Sequence, residues 1–171
     1  MLLLGPLYHL TRRDERVRAL AEACRVLRPG GVVLAAAITR FVSTVGGLFD
    51  GKVFNDAFAA IARRDRAKGQ HRNPARHPAY FTTAYFHHPR ELGEEVEAAG
   101  LAHQATLSVE GVGAWLPELD ATLDDPARRE ALLGLLTELE GEPTLWGSGP
   151  HLIAVGCKEA GPRNAAGPRH S

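Results

Sequence analysis

The chain has 171 residues, of which 44% are hydrophobic, 23% charged and 6% aromatic, the balance of one ordinary globular domain. Twenty Lys and Arg oppose twenty Asp and Glu, so the net charge is zero, which argues against a strongly basic nucleic-acid binder and against wholesale disorder. No apolar run reaches ~18 residues, so no membrane-spanning helix is expected.

Met1 to Gly5 reads as the end of a buried strand and Pro6 to Leu10 as a loop. A helix follows, with Thr11 as candidate N-cap and Asp14 in its first turn. Val17, Leu20, Ala21, Cys24 and Leu27 make one apolar stripe. Arg12, Arg16, Arg18, Glu22 and Arg25 fall mostly outside that stripe. Arg28-Pro29-Gly30-Gly31 stops the helix, because proline cannot continue it and glycine turns cheaply. Val32 to Ile38 is apolar without alternation, the pattern of a strand covered on both faces. Strand, helix, turn and strand together make a βαβ unit.

Thr39 to His88 shows no clear strand before Tyr80. Val42 to Phe49 and Phe54 to Ala67 read as helices and Gly69 to Pro78 as a loop. Tyr80 to His88 packs four aromatics and two histidines into nine residues. The stretch from about 41 to 88 reads as a lid-like insertion, of the kind that covers active sites. Its second half is basic (Arg63, Arg64, Arg66, Lys68, Arg72, Arg76), whereas residues 91–142 carry thirteen acids against two basic residues. Two solvated faces account for this, and steering of an anionic substrate is the sharper alternative.

Arg90 to Ala99 is a short helix with Leu92, Val96 and Ala99 inward. Leu101 to Val109 alternates as a strand, with Gln104, Thr106 and Ser108 on its wetter side. Asp125 and Pro126 open another helix, by cap and first-turn preference, with Leu132, Leu133, Leu135, Leu136 and Leu139 apolar. His151 to Cys157 is a final strand, and Glu159 to Ser171 reads as a disordered tail. Cys24 and Cys157 match no metal or redox spacing and read as buried thiols in a reducing cytoplasm. The start is not a signal peptide, because its charges follow a short apolar stretch instead of preceding it.

Three segments, LLLGPLYHL (2–10), ALAEACRVLRPGG (19–31) and VVLAAAITR (32–40), resemble the C-terminal half of a class I S-adenosylmethionine-dependent methyltransferase. The later GQHRNP, FTTAYFH, VEAAGL and HLIAVG resemble a bacterial subgroup of methyltransferase-domain proteins. The resemblance covers residues 1–158 and implies an α/β, Rossmann-like sheet of strand order 3-2-1-4-5-7-6, here incomplete. It assigns Met1–Gly5 to the fourth strand and Val32–Ile38 to the fifth. Leu101–Val109 and His151–Cys157 become the sixth and the antiparallel seventh. S-adenosylmethionine is the implied cofactor. The family's glycine-rich cofactor loop after its first strand has no counterpart here, nor does the acid that takes the ribose. Gly111 and Gly113 do not substitute.

The resemblance makes the loop after the fourth strand a meeting place of cofactor and substrate. Gly5, Leu7 and Tyr8 are its candidate cofactor contacts, and His9 its candidate general base or substrate contact. Backbone hydrogen bonding by His9 and packing by Tyr8 are the structural alternatives. Tyr80, Tyr85 and His87, with His71 and Asn73, are candidates for an acceptor pocket, against a plain lid core. His71, His77, His87 and His88 share no ligand spacing with a third acid, so no metal site is expected. His103 and His151 read as structural.

The expected function is methyl transfer to a small-molecule acceptor, with this chain as the C-terminal part of a longer enzyme and inactive alone. A misassigned start, a real truncation and a separate upstream chain are the alternatives for its origin. A non-catalytic short protein that pairs with another chain or binds a metabolite is the alternative function. Neither nucleic acid nor membrane is an expected partner, and self-association through an exposed sheet edge is expected.

Overall fold

The apolar run after the Pro-Gly-Gly turn becomes the central strand. In the computed structural model, which describes residues 1–160, the strands are β1 (Leu2–Leu3), β2 (Val32–Thr39), β3 (Gln70–His71), β4 (Ala84–His87), β5 (Ala102–Ser108) and β6 (His151–Cys157). The helices are α1 (Pro6–His9), α2 (Arg13–Val26), α3 (Val42–Phe49), α4 (Asp56–Lys68), α5 (Pro89–Ala98), α6 (Leu119–Asp124) and α7 (Pro126–Leu139). Of the tail expected at 159–171, residues 161–171 lie outside the described ones.

β1 pairs with β2 in parallel, β6 pairs with β2 antiparallel, and β5 pairs with β6 antiparallel. This is the expected order of fourth, fifth, seventh and sixth strands. β4 is the departure. It joins β2 in parallel on the edge that β1 also uses, with Ile38 opposite Phe86 and Thr39 opposite His87. Part of the expected insertion therefore belongs to the sheet, and short β3, not foreseen before Tyr80, pairs antiparallel to β4.

One face of the sheet is sealed. Val33, Ala35 and Ala37 of β2 and Leu152 and Ala154 of β6 pack with Leu7, Leu20, Leu92 and Val96. The other face is half open at Leu34, Ala36, Ile153 and Val155. The expected two-sided covering of β2 thus holds only at its carboxyl end, where Ile38 and Thr39 are buried. α7 does not supply the missing cover. Its Leu132 and Leu136 sit over Gly113 in the 3-10 turn Gly111–Trp115, while Leu133, Leu135 and Leu139 remain exposed.

Local chemistry sets most boundaries. Asn55 caps α4, accepting from the N–H groups of Ala57 and Phe58, so the helix starts there and not at Phe54. Asp125 caps α7 in the same way, as expected. His88 and Glu91 form a reciprocal capping box on α5. α2 begins after Arg12, and Thr11 makes no cap bond. Its carboxyl end is held by Lys158, whose ammonium donates to the carbonyls of Cys24 and Leu27, both at 2.8 Å. Pro6 starts the single turn of α1 where a loop is expected. Leu101 is buried and Gln104 exposed, as expected, but beyond them the alternation of β5 is reversed. A bulge between His103 and Ala105 shifts the register, so Thr106 and Ser108 are buried and Leu107 is half exposed. Cys24 and Cys157 are unpaired and half-buried, not buried.

Candidate acceptor site

A cavity of about 340 Å³ opens at the carboxyl end of β2, the end at which open α/β sheets bind ligands. Its floor is Ile38 of β2 and Phe86 of β4, and α3 contributes Val42, Ser43, Gly46 and Gly47. The glycines are needed because rings lie against the helix. A Cβ on Gly47 would stand 2.6 Å from the ring of Phe58, and one on Gly46 3.0 Å from that of Trp115. Trp115 stacks on Phe49 at 5.6 Å, and its indole N–H donates to the carbonyl of Ser148 at 2.6 Å. Phe58 and Tyr80 close another side, their rings 5.1 Å apart.

Besides the Asp50–Lys52 ion pair, two polar groups interrupt this aromatic wall. The first is a buried row, Ser43–Asp65–His71. Ser43 donates to Asp65 Oδ2 at 2.6 Å, and His71 Nδ1 meets the same oxygen at 2.7 Å. His71 Nε2 faces the carbonyl of Phe81 at 3.2 Å, and its ring stacks on Phe86 at 4.6 Å. Both ring nitrogens are thus engaged, and the row holds the wall in place.

The second group is His151 with Glu110. His151 is the first residue of β6 and lies opposite Ile38. Because β6 runs antiparallel, its start falls at the ligand end of the sheet. Glu110 takes His151 Nδ1 at 2.6 Å through one oxygen and the backbone N–H of His151 at 3.2 Å through the other. This double grip fixes the ring. Gly149 makes the approach possible, since a Cβ there would stand 2.7 Å from the backbone of Gly111. The carboxylate raises the pKa of His151 above its ordinary value, and the imidazole holds that of Glu110 below the usual range despite partial burial.

The expected pocket residues divide. Tyr80 and His71 line the cavity. Asn73 does not; its amide donates to the carbonyls of His77 and Tyr80 and accepts from the His77 N–H, which shapes the loop. Tyr85 and His87 lie on the opposite face of β4, because side chains alternate along a strand and Phe86 takes the cavity side. There Tyr85 donates to Glu91 at 2.8 Å and receives the Arg16 guanidinium over its ring at 3.6 Å. His87 is buried against Glu95 at 3.2 Å.

In the loop after β1, Gly5 precedes α1 and Leu7 is sealed in the core, so the Leu7 side chain offers no ligand surface. Tyr8 and the exposed His9 reach the cavity wall through Phe81, at ring distances of 6.5 and 6.4 Å. Ser43, Phe58, Trp115 and Glu110 were not singled out in the sequence, and His151, read there as structural, lines the cavity. A signal for His151 was available: an antiparallel seventh strand must begin beside the carboxyl end of the fifth. The basic half of the insertion is partly consumed internally, since Arg72 donates to the carbonyls of His71 and Ala84.

This sheet, with its antiparallel terminal arm and its cavity at the carboxyl end, is the fold of class I S-adenosylmethionine-dependent methyltransferases. A crystal structure of a SAM-dependent methyltransferase from Methanosarcina mazei is similar, with a TM-score of 0.51 and 13% identity. The match covers 93% of this chain and 58% of that one, so the chain spans little more than half the length of this neighbour. No family model and no curated protein matches the sequence. The cofactor of this class needs a glycine-rich backbone cradle and a carboxylate for its ribose. Among the described residues, none of the strands β1, β2 and β4 is followed directly by such a cradle or ends in a carboxylate. These residues do not by themselves fit S-adenosylmethionine.

Proposed function

We propose that the chain is the acceptor-binding part of an S-adenosylmethionine-dependent methyltransferase acting on a small molecule. The observation that carries this reading is the aromatic cavity at the carboxyl end of the sheet, concave, mostly apolar and marked by a few polar groups. Gly5, Tyr8 and His9 border the side from which a methyl donor would approach, and the donor's own pocket is supplied by residues beyond those described. The contribution of this chain is to seat the acceptor, orient it and exclude water. Zero net charge favours a small-molecule acceptor over nucleic acid. The cytoplasm and a bacterial source remain part of this reading, on the cysteine pattern and the sequence resemblance.

The test uses the protein isolated from its own cells. An intact mass well above 18.4 kDa, with labelled methyl transfer to an aromatic acceptor, is the expected result. A mass of 18.4 kDa, with no cofactor binding by calorimetry and no transfer, overturns it. The second reading then takes over: a non-catalytic protein that binds a metabolite or a partner chain. The observation favouring that reading is the lack of a cofactor cradle among the described residues.

A further inference from the structure

The geometry points to His151, held by Glu110, as the proton acceptor for a small planar aromatic ligand bearing an acidic hydroxyl, seated in the cavity at the carboxyl end of β2. This rests on the acceptor-site reading above and deepens it by naming the ligand class. Three observations converge. The wall is built from five rings, Phe58, Tyr80, Phe81, Phe86 and Trp115, which suit a flat apolar body. The volume of about 340 Å³ lies at the small end of ligand sites, which suits a small ligand body. Finally, His151 is the one cavity-lining imidazole with a ring nitrogen left over among the described residues: Nδ1 is taken by Glu110, whereas both nitrogens of His71 are engaged.

The step is a proton transfer. The ligand O–H bond breaks and an N–H bond forms at His151 Nε2, leaving an aryl oxide beside an imidazolium. Glu110 then faces the new positive charge across the Nδ1 bond at 2.6 Å. This is the arrangement of an oriented base, in which a carboxylate fixes the tautomer and ring plane. The hydrogen bond to Glu110 raises the pKa of His151 above its ordinary value, which makes the imidazole a stronger proton acceptor. The other titratable side chains lining the cavity are His71, Asp50, Lys52 and Tyr80. Asp50 and Lys52 pair with each other at 2.6 Å, His71 is bound to Asp65, and Tyr80 presents a phenol.

The probe is para-nitrophenol, whose oxide has its own visible absorption band. The full chain is titrated with it, and binding is followed by quenching of Trp115 in a Trp146→Phe background. The expected result is saturable binding, with the oxide band appearing about one pH unit below the midpoint of the free probe, a roughly tenfold preference for the ionised form. His151→Gln retains binding and loses the shift. Glu110→Gln, which leaves Nε2 in place, reduces the shift, and it serves as the readout if His151→Gln does not fold. A bound probe with an unshifted midpoint, a shift that persists in both variants, or no saturable binding overturns the proposal. No methyl donor is present, so failure here is separable from failure of the methyltransferase reading, which is judged by labelled methyl transfer.

Discussion

Arg16 carries its charge into the core with only 1% of its surface exposed. It survives there because every direction is answered. Nε and Nη2 grip Glu95 at 2.9 and 2.6 Å, Nη1 donates to the carbonyl of Leu10, and Tyr85 covers the flat face. A buried pair of this kind adds little net stability, but breaking it strands a charge, at ~3–5 kcal/mol. Arg16→Met and Glu95→Gln are each expected to lower stability by about 3 kcal/mol in urea unfolding. The double variant Arg16→Met/Glu95→Leu is expected to recover most of that loss, because no charge remains to be solvated. Glu91 sits at the edge of the same group, where it helps raise the Tyr85 phenol to about 12, after burial as the larger cause.

The same cluster sets a pH dependence. Burial holds the pKa of His87 below its ordinary value of 6.5, although Glu95 pulls it the other way. Folded His87 therefore stays neutral where the unfolded chain takes a proton. Its effect is absent above about pH 6.5, and stability falls as the pH drops below that value, by at most ~1.4 kcal/mol per pH unit. His151, whose pKa is raised, acts in the opposite sense near and above pH 6.5. Unfolding measured between about pH 5 and 6 is therefore expected to show the His87 slope, and His87→Gln, which does not titrate, is expected to flatten it there.

At the scale of elements, the junction between α4 and β4 is a close one. Gly69 ends α4 in the left-handed region at φ +65°, and a Cβ there would stand 2.3 Å from the carbonyl oxygen of Phe86. Glycine is required on both counts, backbone conformation and close approach. Gly69→Ala is expected to cost ~2 kcal/mol or more, seen as a lowered urea midpoint, because the obstacle is backbone and cannot turn aside. The aromatic run at 80–88 shows what sequence hides at this scale. Its composition singles the stretch out, but which residues face the cavity depends on whether it is helix, loop or strand. Once Ala84–His87 is a strand, Phe86 faces the cavity and Tyr85 and His87 face the Arg16 cluster.

For the whole molecule, the open flank of the sheet is the dominant feature. Leu2 and Leu4 are 64% and 51% exposed, and β1 pairs only with β2 among the described strands. Such an edge beside apolar side chains recruits other strands. The isolated chain is expected to self-associate in sedimentation experiments, and Leu2→Lys with Leu4→Lys is expected to reduce the associated fraction. A monomer at high concentration without those changes counts against this. The same flank is where a donor-binding half would dock under the function proposed above.

Several features were legible in the sequence because their causes are local. The Pro-Gly-Gly turn, the uncharged run of β2, the Asp125–Pro126 start of α7 and the bounds of β6 each follow from neighbouring residues. The order of β1, β2, β6 and β5 was expected from the resemblance to class I methyltransferases, not from these local signals. The tertiary structure alone decided the rest. Arg16 lies four residues before Leu20 and so on the buried face of α2, but it is tolerated there only because Glu95, 79 residues away, arrives to meet it. His151 gains its orientation from Glu110, 41 residues earlier, across a crossing that depends on Gly149. Charge and hydrogen-bond complementarity over such separations leaves no periodic trace in a single sequence, so both the buried ion pair and the hold of Glu110 on His151 became visible only in the folded chain.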